Sequence, residues 1–103
     1  MRRTEQLLAR FRQGVQHPEV SGFEVLELLD TRSALAQQEG DLNETERREL
    51  EAADGLFLTH VQQWYESVVQ VADLEAMRRQ AAVPPSHWWW YLEHLVQAVK
   101  AAI

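Results

Sequence analysis

Four histidines, at positions 17, 60, 87 and 94, and the run Trp88-Trp89-Trp90 are the side chains in this sequence best suited to chemistry. A metal site on a helix needs ligands three or four residues apart, because only those side chains share a side. None of the four histidines has Asp, Glu or His at that spacing in either direction. The HExxH motif and the Glu-x-x-His signature of di-iron bundles are therefore absent. His87 and His94 fall two turns apart on one helix side, too far in rise to share an ion. The expectation is no metal and no cofactor.

Nucleophilic catalysis also lacks its parts. There is no cysteine. Ser21 and Ser86 read as helix caps, Ser33 and Ser67 as helix-surface serines, and no nucleophile elbow surrounds any of them. The scattered glycines form neither a P-loop nor G-x-G-x-x-G. The acidic residues gather on a solvated run, 39–54, instead of an apolar helix side. His60 lies at the edge of the Phe57–Trp64 stripe and reads as a half-buried structural histidine, and Tyr65 and Tyr91 read as core-edge residues. No catalytic residue is expected.

The elements that position these residues follow from periodicity and caps. Leu7, Leu8, Phe11 and Val15 share one side of a helix over about Arg3–Gln13, stopped by Gly14 and Pro18. Ser21-Gly22-Phe23-Glu24 has capping-box spacing and opens a helix over about Gly22–Gln38, with Gly40 as its stop. Asn43-Glu44-Thr45-Glu46 repeats the start signal. From it runs the longest stripe in the chain: Leu50, Ala53, Phe57, Val61, Trp64, Val68 and Val71, steps of three or four residues. One helix over Glu44–Val71, ~40 Å long, is expected. Asp73 caps a short helix, Leu74–Ala82. After Pro84-Pro85, Ser86 is expected to cap a last helix, His87–Ala102, burying Trp88, Tyr91, Leu92, Leu95 and Val99. The fold class is all-α: a single domain over 1–103, a bundle of about five helices with 44–71 packed on 87–102 as its core pair.

Composition agrees. The chain has 103 residues, 46% of them hydrophobic and 25% charged, as in an ordinary globular domain. No apolar run approaches the ~20 residues that cross a bilayer, and no signal-peptide run begins the chain, so a soluble cytoplasmic protein with no membrane partner is expected. The net charge of −6 argues against nucleic acid as a main partner. The charge is uneven: residues 1–12 carry +3 and residues 39–54 carry −5. A two-fold dimer in which these segments meet in trans is the favoured assembly.

The stretch LEAMRRQAAVPPSHWWWYLEHL, within residues 74–95, resembles the helix-turn-helix pattern over about twenty residues. The resemblance implies a DNA-binding or antitoxin-like regulator. Arg78 departs from it where that family has a small residue. The first two turns of the second helix offer no Arg, Lys, Asn or Gln to read bases.

The sequence thus points first to a small non-catalytic interaction or regulatory module that meets a protein partner, or itself, through an exposed helical surface. The helix-turn-helix regulator is the alternative, and a small-ligand binder with an aromatic pocket between Trp64 and Trp88 is the third reading. Trp90 lies about 200° from Trp88 on the expected helix, among Glu93, His94, Gln97 and Lys100. Trp89, Trp90 and His94 are therefore the expected partner-binding residues.

Overall fold

Helix starts fall where side-chain oxygens can take the first free backbone amides. Ser21 accepts from the Glu24 amide while Glu24 accepts from the Ser21 amide, and Asn43 and Glu46 make the same reciprocal pair. Asp73 accepts from the Ala76 amide. The computed structural model describes residues 2–102 and contains six α-helices: α1 Arg3–Gly14, α2 Gly22–Gln37, α3 Glu44–Thr59, α4 Val61–Val68, α5 Leu74–Ala81 and α6 Leu92–Ala102. Two 3₁₀ turns, Glu39–Asp41 and Trp88–Trp90, interrupt them. The fold is all-helical, as the periodicity requires, with no strand among the described residues.

The centre of the bundle is α2, which packs on α1, on α4 and on the Trp88–Trp90 turn, while α3 packs on α1 and α6 on α4. Phe11, Val25, Leu29, Leu35, Phe57, Trp64, Val68 and Leu92 form the fully buried middle. Gly22 marks the closest approach of α2 to α4. A Cβ there would run into the Ser67 carbonyl oxygen and Val71 Cγ2.

Two expected helices are broken, and both breaks have the same cause. The helix expected over Glu44–Val71 stops at Thr59 and restarts at Val61, with His60 between them at φ −106°, ψ 17°. The Phe57 carbonyl, which a continuous helix would offer to Val61, instead accepts from the Trp64 indole Nε1 at 2.9 Å. The helix expected over His87–Ala102 begins only at Leu92. There the Trp90 carbonyl, due to His94 in a continuous helix, accepts from Arg78 Nη1 at 2.9 Å, and the His94 amide turns to Tyr91. Ser86 caps nothing; it is exposed in a turn closed by the His87 amide on the Pro84 carbonyl.

Each break re-phases the residues downstream of it. Val71, expected in the stripe, is 38% exposed, and Val99 is 42% exposed, while Val96 is buried in its place. Only the α4 part of the expected long helix packs on α6 as foreseen.

Candidate functional site

The chemistry-bearing side chains converge on one serine. Ser33, halfway along α2, accepts from the indole Nε1 of Trp89 and from that of Trp90, each at 2.9 Å. Its hydroxyl also lies 3.2 Å from Nδ1 of His87. The 3₁₀ turn makes this convergence geometrically available: it ends the helix early and lets two consecutive tryptophans reach one oxygen. His87 stacks on Trp89 with centroids 4.7 Å apart, and Trp88 stands edge-on to Trp89.

One helical step from Ser33, the Arg32 guanidinium lies 4.2 Å from the centre of the Trp89 ring. Its side chain is buried, forked onto the Asp54 carboxylate at 2.9 and 3.0 Å, with Glu39 at 3.6 Å. Arg32 Nη1 is buried without a hydrogen-bond acceptor among the described residues and faces that Glu39 carboxylate. Burial pushes the Asp54 carboxyl above the ordinary carboxylate range, and the Arg32 hydrogen bonds draw it only partly back. On the other side of the turn, Arg78 binds the Trp90 carbonyl and Glu93 at 2.7 Å, with its guanidinium over the Tyr91 ring.

The expected partner-binding residues are thereby split. Trp89 is 2% exposed and Trp90 6%, both held inward by Ser33, so neither presents an anchor; the exposed position assigned to Trp90 assumed a continuous helix from His87. His94 alone is exposed, beside the Tyr91 ring. His87 and His94 do not share a helix, and no group of three metal-ligating side chains is assembled among the described residues. The Phe57 ring occupies the space between Trp64 and Trp88, 5.8 Å from one and 5.9 Å from the other, where an aromatic pocket was expected.

The segment 74–95 does not form a tight helix-turn-helix either. Ten residues, 82–91, separate α5 from α6, and Arg78, which a basic surface patch would need, is buried. The basic and acidic segments meet within one chain. Arg2 bonds Glu46 and the Asp41 carbonyl, and Arg12 lies 3.5 Å from Glu49. The Arg2 hydrogen bond, helped by the Asn43 amide, holds the Glu46 carboxyl below its ordinary range.

The chain matches no protein-family model, no curated protein and no solved structure. Function therefore rests on the residues alone.

Ser33, Arg32, Arg78 and Phe23 are the residues that sequence reasoning missed. Two of them left a signal. Arg32 falls in register with Leu28, Leu29 and Leu35, and Arg78 lies four residues after Leu74, so both occupy core positions of an apolar stripe. An arginine there requires a buried partner. Phe23 stands at the outer start of α2, 65% exposed, whereas Phe11 and Phe57 are fully buried and every tyrosine and tryptophan is at least half-buried.

No helix among the described residues is long and apolar enough to cross a membrane.

Proposed function

We propose that this chain is a non-catalytic protein-interaction module whose contact surface is centred on Phe23. The observation that carries the reading is the exposure of that ring, the one exposed aromatic side chain among the described residues. A large apolar side chain held in water on a rigid helix start has the character of an interface anchor. The close packing of Gly22 on Val71 brings the exposed end of α4, with Val69 and Val71, to the same region. Exposed Glu19, Glu24 and Glu27 border the ring in sequence.

That acidic border favours a partner presenting an apolar side chain among Lys and Arg. It disfavours a symmetric copy, whose own acids would face these. Charge also gives a dimer less support, because the basic first segment already bonds the acidic segment in cis. A non-catalytic role is supported by the one Ser–His pair, Ser33 and His87. Both lone pairs of that serine are occupied by indole donors, which leaves no nucleophile.

Photo-crosslinking tests the reading. A benzophenone amino acid at position 23, in the cell of origin, is expected to give one discrete product, and at exposed Gln80 on α5 none. A product of twice 12.0 kDa would make the partner a second copy. Equal labelling from both positions would remove Phe23 as the anchor.

A further inference from the structure

We infer that His87 is a proton-sensitive lock on the tryptophan corner, closed only while its ring is neutral. Counting donors against lone pairs leads to it. An indole N–H only donates, so the 2.9 Å contacts of Trp89 and Trp90 occupy both lone pairs of the Ser33 hydroxyl. The hydroxyl has one proton left, and its remaining neighbour is His87 Nδ1 at 3.2 Å. Nδ1 must therefore be the acceptor, and the proton of neutral His87 sits on Nε2. A protonated His87 would turn this acceptor into a third donor. Three donors would then compete for two lone pairs, and one of the three bonds must open.

The surroundings give the imidazolium no compensation. His87 makes no ion pair among the described residues. Its stacking partner Trp89 already carries the Arg32 guanidinium at 4.2 Å. The carboxylates at this corner belong to other cations: Asp54 of α3 and Glu39 to Arg32, and Glu93 of α6 to Arg78 of α5. Protonation thus loosens the attachment of the linker 82–91 to α2, a property separate from the contact at Phe23.

Nitrogen-15 NMR of the intact chain tests this without any variant. At pH 8 the His87 ring is expected as the Nε2–H tautomer; an Nδ1–H tautomer would overturn the lock. Between pH 8 and pH 5 the indole N–H signals of Trp89 and Trp90 are expected to move together with the His87 ring, and the Trp64 indole to stay in place. His87→Asn puts an amide oxygen near the Nδ1 position, able to accept but not to titrate. In it the two indole signals are expected to hold still. Across the same range the unfolding constant is expected to rise about fivefold less than in the wild type, the worth of one hydrogen bond. Indole signals that ignore His87 titration, or that move equally in the Asn variant, would reject the lock.

Discussion

The indole Nε1 of Trp64 donates to the main-chain oxygen of Phe57 at 2.9 Å, and the two rings stack 5.8 Å apart in the fully buried centre. The bond takes the carbonyl that Val61 would need, so one side chain both fills the core and ends α3. Trp64→Phe keeps an aromatic ring but removes the donor. It is expected to cost about 2–4 kcal/mol, from the lost ring volume and the unmade bond. The freed carbonyl is expected to accept from Val61, so the Thr59–Val61 amides gain hydrogen-exchange protection relative to the rest of the protein. Unchanged exchange at these amides would show that the indole does not cause the break.

Ser33→Ala leaves two indole donors at the edge of the core with no acceptor. The expected loss is about 2–3 kcal/mol, more than a surface serine would show, since each unsatisfied buried donor costs about 1–3 kcal/mol. Urea unfolding measures it. A loss below about 0.5 kcal/mol would mean that water replaces the hydroxyl.

Trp90→Ala is expected to cost about 3–5 kcal/mol in the isolated chain, because the ring is 6% exposed. Thermal unfolding of the monomer reads this directly. A variant as stable as the wild type would return Trp90 to the surface as a partner anchor.

Much of the fold was legible in the sequence. The capping boxes at Ser21–Glu24 and Asn43–Glu46, the Asp73 cap and the stripe from Leu50 to Val68 all stand in the structure. These are local signals, written within four residues. The two breaks are not local in that sense. Phe57 and Trp90 each lose a carbonyl to a side-chain donor that folding brings inward, and hydrophobic spacing carries no record of a carbonyl's partner. The tryptophan corner escapes the sequence for the same reason, since a wheel drawn from His87 assumes the helix that Arg78 and Ser33 prevent.

Glu46 and Asp54 predict opposite responses to acid. The hydrogen bond from Arg2 lowers Glu46. Its contribution is therefore present above the ordinary glutamate value, about 4.3, and is lost as pH falls through the lower folded-state value. Burial raises Asp54, so its ionisation weakens the fold as pH rises through its range. The stability gap between wild type and Glu46→Gln is thus expected at pH 6 and to close toward pH 2. For Asp54→Asn, acid should instead stabilise the wild type relative to the variant. Urea titrations at stepped pH separate the two, and a Glu46→Gln gap that survives at pH 2 would remove the Arg2 pair as its source.

Ala82 is the one residue other than glycine with a positive φ among the described residues, at φ 52°, ψ 45°. It ends α5 in a Schellman arrangement, with the Val83 amide on the Arg78 carbonyl and the Ala82 amide on that of Arg79. This left-handed conformation costs an L-residue roughly 1–2 kcal/mol, and glycine is spared it. Glycine also adds freedom to the unfolded chain, which offsets about 0.4–1 kcal/mol of that gain. Ala82 is exposed, so no packing is lost. Ala82→Gly is therefore expected to stabilise the protein by about 0.5–1 kcal/mol, seen as a higher urea midpoint at unchanged slope. A lower midpoint would show that the α5 end does not hold the left-handed conformation in solution.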